Sequence, residues 1–250
     1  MSQLAALKAM LAAEPMVPEA LSTGIRFLDR LLDGGVRPGA SYLTVGAPGS
    51  GKTILWWQVA KAIDTLYIDT QDGLGTITAS RNNSGGITSR WGSMLASLCD
   101  ASRVIDTIAY RPQHIRLVVV DSIDSVTSRE KIRPHELVRK MMEAAREPGS
   151  CTEHEDCRMH ANLARACAEV HPKPPPAIVF THNQVRGAVI PGVLHFADVV
   201  MSIDGPEVNR GVQRRSVNVL KNRFGRPGEA RDLPLQGPTT ERPYMHWPTT

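Results

Sequence analysis

Eight consecutive residues, Gly46, Ala47, Pro48, Gly49, Ser50, Gly51, Lys52 and Thr53, combine the types and the spacing that bind a polyphosphate chain. They read G-x-x-x-x-G-K-[ST]. Glycines let the backbone approach an anion, and the N–H groups of residues 49–53 point at it from the start of a helix, where the positive end of the helix dipole also lies. Lys52 would neutralise β- and γ-phosphate oxygens, and the Thr53 hydroxyl is placed to ligate Mg²⁺. Ile54 closes the cofactor-binding segment. The second half of such a site is a carboxylate at the end of a buried strand. The run Arg116-Leu-Val-Val-Val-Asp121 supplies it, with Asp121 able to hold Mg²⁺ or its water. Hydrolysis further needs a group that orients or deprotonates water, and the candidates are Gln71 and Asp72.

The elements that must position these residues can be read from the pattern. Residues 41–45 predict a strand before the glycine-rich loop, and residues 53–63 a helix after it. Further strands are expected over 65–69, 104–110, 116–120, 177–181, 198–203 and 216–220, several of them continuous β-branched runs of the kind covered on both faces. Helices are expected after Ser22 or Thr23 as a cap, with Gly34 and Gly35 as the stop, and over 135–146 and 159–170. Strands alternating with helices predict an α/β fold. Its sheet should be mostly parallel, and the last two strands an antiparallel extension.

Composition excludes other classes. The chain has 250 residues, 42% hydrophobic and 22% charged, which is ordinary globular composition rather than that of a disordered or collagen-like chain. No apolar run approaches the roughly 18 residues of a membrane-spanning helix. The N-terminus has no secretory pattern, and four cysteines are too few for a secreted disulfide scaffold, so a cytoplasmic location is expected. Net charge is +4, and residues 205–232 hold seven basic and three acidic residues, an excess equal to that of the whole chain. Such a bias permits a polyanionic partner.

With these residues in place, the sequence resembles the RecA superfamily of P-loop ATPases, and within it the bacterial RadA/Sms branch. The resemblance runs from about residue 22 to about residue 228. The approach to the loop (22–39), Tyr67-Ile-Asp-Thr70 and His182-Asn-Gln-Val-Arg186 are similar to RecA-type segments, and Lys221-Asn-Arg-Phe-Gly225 matches the motif distinctive of RadA/Sms. The family's catalytic glutamate falls at Gln71, which can orient water but cannot take its proton. The zinc module and Lon-like domain of full RadA/Sms proteins have no counterpart here, so the expected organisation is a minimal ATPase core. An N-terminal helical arm (1–21) precedes an ATPase domain (22–228), and a proline-rich tail (229–250) follows it.

The resemblance implies a RecA-like core that binds ATP and Mg²⁺ between subunits of a homo-oligomeric ring or filament, with no membrane partner. Gln184 would sense the γ-phosphate, and Lys221 and Arg223 would reach it from the neighbouring subunit. Single-stranded DNA would meet two loops, the first around 125–133 with Arg129, Lys131 and Arg133, and the second over 185–195 with Arg186. The implied function is an ATP-dependent DNA motor of recombination and repair, similar to a RadA/Sms branch-migration helicase. The alternatives are a RecA-like strand-exchange recombinase and a KaiC-like regulatory ring that hydrolyses ATP slowly.

One insertion (148–176) stands apart. Cys151, His154, Cys157 and His160 recur at every third position, dense in soft ligands. The spacing matches no paired zinc knuckle, and acidic neighbours favour free thiols on a solvated loop over zinc or a disulfide.

Overall fold

Runs that are apolar at successive positions cannot leave either face in water. In the computed structural model they lie side by side in one central sheet with both faces covered. The structure describes residues 18–71, 74, 94–98, 100–112, 114–146, 175–183, 191–205, 207–209 and 212–234. In chain order these form α1 (Arg26–Leu31), β1 (Ser41–Gly46), α2 (Lys52–Val59), β2 (Thr65–Asp69), β3 (Met94–Ser97), α3 (Ala101–Ala109), β4 (Leu117–Asp121) and α4 (Ile123–Glu130). They continue with α5 (Pro134–Arg146), β5 (Ala177–Asn183), α6 (Pro191–Leu194), β6 (Val199–Ile203), β7 (Glu207–Asn209), β8 (Val212–Asn222) and β9 (Gly228–Pro234).

The sheet runs β3-β2-β4-β5-β1-β6-β8, with β7 and β9 also paired to β8. Strands from β3 to β6 are parallel, and β8 joins β6 antiparallel. This is the expected α/β fold of a RecA-like core, with its antiparallel C-terminal extension. Alternation along each strand divides the interior into two layers. Tyr42, Val119, Val179 and Met201 face α1 and α2, whereas Leu43, Val118, Val120, Ile178 and Phe180 face α3, α4 and α5. Trp56 is fully buried on α2 and its indole N–H donates to Thr44 Oγ1 at 2.9 Å, which satisfies the one polar group of that side chain and ties α2 to β1.

Several expectations need correction. Residues 104–109 belong to helix α3 and Tyr110 is its C-cap, so the segment is not a strand. Their β-branched residues suggest a strand, but Ala101, Val104 and Ile108 form one buried stripe at helical spacing, and Asp100 caps the helix by accepting from Arg103 N–H at 3.1 Å. The strand beside β2 is instead β3, which has no expected counterpart. The segment expected to be a DNA-binding loop, 125–133, is mostly helix α4, ended by Lys131 in the left-handed region at φ 55°. Neither Ser22 nor Thr23 caps α1. Its N-cap is Ile25, and both hydroxyls donate to Asp29 at 2.7 Å. The sheet also continues past residue 228 into β9. The N-terminal arm, the helix expected over 159–170 and most of the tail lie outside the described residues.

Candidate functional site

The carboxyl ends of β1, β2, β4 and β5 meet at one edge of the sheet, the place where open parallel sheets receive ligands. The loop leaving β1 turns there into α2. Gly46 must be glycine, because a Cβ would fall 2.5 Å from the Ile203 carbonyl oxygen and 2.6 Å from Ser50 Oγ. Gly51 is the N-cap of α2 with φ 101°, a conformation that L side chains rarely adopt. Between them Ser50 N–H donates to the Ala47 carbonyl at 3.0 Å, closing a tight turn with Ala47, Pro48 and Gly49 exposed.

Lys52 opens α2 and folds back over this turn. Its Nζ donates to the carbonyl oxygens of Gly46 at 2.9 Å and Ala47 at 3.0 Å, and lies 3.5 Å from Ser50 Oγ. Burial pulls the ammonium pKa down, while the Asp121 and Asp124 charges act in the opposite direction. An ammonium held over a helix start by three neutral oxygens is a cation able to turn toward an anion.

Asp121 ends β4. Tyr67 donates its hydroxyl to one carboxylate oxygen at 2.7 Å, and Thr181 donates to the other. The Tyr67 oxygen also lies 3.3 Å from the Thr53 carbonyl, so a single phenol joins Asp121 to the first turn of α2. Burial, and next the Asp121 charge, push the Tyr67 pKa well above its ordinary value, so the phenol remains a donor. The following bond, Asp121–Ser122, is a cis peptide.

Around this centre the strand ends are fixed by polar contacts. Thr70 Oγ1 donates to Ser122 O at 2.6 Å and accepts from Ser122 N–H at 2.8 Å. Gln71 Nε2 donates to Ser122 Oγ at 2.9 Å, and Asp69 receives the N–H groups of Gln71 at 3.0 Å and Leu74 at 2.6 Å. Asp124, in the first turn of α4, pairs with His182 Nδ1 and accepts from Asn183 N–H at 2.7 Å. Burial alone would raise the Asp124 pKa, but the hydrogen bonds from His182 and Asn183 outweigh it and hold the carboxyl below its ordinary range.

The structure thus gathers Lys52, Thr53, Gln71 and Asp121 at one edge. Lys221 and Arg223 have partners within their own chain: Lys221 Nζ donates to the Leu194 and Ala197 carbonyls, and Arg223 pairs with Asp198 at 2.9 Å. Arg129 and Lys131 are exposed at the end of α4, and Arg133 pairs with Glu136 at 3.6 Å. Asp72, Gln184, Arg186 and the 151–160 cysteine and histidine cluster lie outside the described residues. Sequence reasoning gave no individual role to Tyr67, Asp69, Asp124, Thr181, His182 or Arg215. Asp69 could have been noticed as the last residue of a predicted strand, whereas Asp124 lies past the end of one, in the first turn of α4. Arg215 is hidden among equivalent basic neighbours.

The chain is similar to several proteins named DNA repair protein RadA. It is 29% identical over 216 residues to that of Mycobacterium tuberculosis, covering 83% of this chain and 40% of the relative. It is 27% identical over 226 residues to that of Rickettsia typhi, covering 88% and 46%, and 26% identical over 215 residues to that of Escherichia coli, covering 83% and 41%. The chain therefore spans less than half the length of these relatives. Among the described residues, no helix is long and apolar enough to cross a membrane. Residues 20–161, more than half of the sequence, match the family described as "Family of unknown function (DUF7125)", and the chain belongs to that family.

Proposed function

We propose that the chain is a DNA-dependent ATPase of repair and recombination, similar in its core to RadA. The single observation that carries the proposal is the convergence of Lys52, Thr53 and Asp121 at one sheet edge, with the Tyr67 hydroxyl between Thr53 and Asp121. Backbone N–H groups of residues 49–53 would bind the triphosphate, and Lys52 would exchange its carbonyl partners for β- and γ-phosphate oxygens. The hard oxygen donors of Thr53 and Asp121 suit Mg²⁺, which when bound neutralises charge on the phosphate oxygens. Tyr67 and Thr181 would keep the Asp121 carboxylate oriented beside that group.

Gln71 would orient the attacking water without accepting its proton, so hydrolysis should be slow. That residue also favours a second reading, a regulatory ring that binds ATP tightly and hydrolyses it slowly, similar to KaiC-type ATPases. Lys221-Asn-Arg-Phe-Gly225 and the basic 205–232 stretch favour the DNA reading. In it, Lys221 and Arg223 would act on nucleotide bound to an adjacent subunit, Arg129, Lys131, Arg133 and Arg186 would meet DNA phosphates, and Gln184 would report the γ-phosphate. The deciding experiment measures ATP turnover with and without single-stranded DNA at several salt concentrations. Stimulation that falls steeply with salt supports the motor, and turnover indifferent to DNA at low salt supports the ring.

A further inference from the structure

Arg215 lies on β8, and its side chain is buried at 4% exposure. Removing a guanidinium from water is costly unless its hydrogen bonds and surroundings compensate, so a buried arginine marks a position where geometry is tightly held. Its Nη1 donates to the carbonyl oxygen of Ser50, inside the 46–53 loop. Ser50 is itself fully buried and is a junction of the loop: its N–H donates to Ala47 O, and its Oγ lies 3.5 Å from Lys52 Nζ. The other end of the loop is pressed against the same part of the sheet, since Gly46 pairs with Ile203 and leaves no room there for a Cβ. The loop is therefore held on one side by the end of β6 and on another by Arg215.

The peptide plane explains why this contact matters. In a trans peptide the C=O and the next N–H point in opposite directions, so whatever fixes the Ser50 oxygen also fixes the Gly51 N–H. Gly51, at φ 101°, has the conformational freedom of glycine and cannot set that orientation alone. An outside anchor is needed, and a charged donor is a strong one.

We propose that Arg215 is a positioning residue of the phosphate-binding loop, which by holding the Ser50 carbonyl orients the Ser50–Gly51 peptide and keeps residues 49–53 in the conformation that receives a polyphosphate. The proposal rests on the nucleotide reading given above. It assigns to β8 a role within its own subunit, separate from the one proposed for Lys221 and Arg223.

The test is equilibrium titration of the full chain with a fluorescent ATP analogue and Mg²⁺, alongside thermal unfolding. Arg215→Ala should weaken binding about 10-fold or more, the scale of one lost hydrogen bond from a charged donor. Low-millimolar guanidinium should restore most of that loss by refilling the vacated position, and should not help Lys52→Ala. Arg215→Met, which preserves buried volume, should fold with a near wild-type thermal transition and still bind weakly. Wild-type affinity in folded Arg215→Met overturns the proposal while leaving the nucleotide reading intact. Weak binding confined to those Arg215 variants whose thermal transition also falls, and not relieved by guanidinium in Arg215→Ala, reduces Arg215 to a buried charge of the fold and also overturns it. Absence of binding by the wild-type chain overturns the nucleotide reading and the proposal with it.

Discussion

Tyr67 donates its hydroxyl to Asp121 at 2.7 Å across neighbouring parallel strands, from a fully buried position on β2. Asp121 is thereby oriented before any ligand arrives, and the same oxygen touches the α2 start at Thr53. Tyr67→Phe should cost about 1.5–3 kcal/mol of folding stability, the usual range for a hydrogen bond to a charged group. It should also weaken Mg²⁺-dependent nucleotide binding. Urea unfolding and nucleotide titration check the two effects; unchanged values in both would show that Asp121 does not depend on the phenol.

Gln71 stands at the position proposed to orient the attacking water. Gln71→Glu should raise ATP turnover, since a positioned general base contributes about 10²- to 10⁴-fold. The Gln71 side chain donates to Ser122 Oγ, within reach of the sheet edge. If Gln71→Glu leaves turnover unchanged while Asp72→Asn abolishes it, the base is Asp72.

Acid should act through Asp124. Its folded pKa lies below the ordinary value, because the hydrogen bonds from His182 and Asn183 outweigh the opposing effect of burial. A depressed carboxyl pKa contributes stability that is fully present above the ordinary value of about 3.9 and is lost as pH falls through the lower folded value. Urea midpoints measured from neutral pH down to pH values below that range should therefore drop more steeply in wild type than in Asp124→Asn. Parallel curves would mean that the Asp124–His182 pair does not couple folding to protons.

The subunit boundary can be tested by mixing. A protein altered at both Lys221 and Arg223 should retain nucleotide binding through its own Lys52 and Thr53 but turn ATP over poorly. Lys52→Ala has the complementary defect. Mixed assemblies should regain activity in proportion to the interfaces that join an intact loop to intact cations. Co-assembly without recovery would leave the two cations with only the partners seen here, the Leu194 and Ala197 carbonyls and Asp198.

Much of the candidate site was legible because its elements are local in sequence. The 46–53 segment and the strand ending at Asp121 each place their own functional group by spacing, and both stand where the pattern put them. What was illegible depends on contacts distant in the chain. Arg215 meets Ser50 across 165 residues, and Tyr67 meets Asp121 across 54, so neither contact leaves a periodic trace. The misread segment, α3, shows a different failure. Val104, Ile105 and Ile108 favour a strand by residue type, but their spacing fits one helical face packed on α5, and burial of that face decides the outcome.

In the proposed function, residues 46–53 hold a nucleoside triphosphate. Titration of wild type and Lys52→Ala with an ATP analogue and Mg²⁺, with folding verified by circular dichroism, tests it most directly. Saturable binding by wild type and its loss in the folded variant is the predicted result. Equal affinity in the two folded proteins, or no binding by wild type, would contradict it.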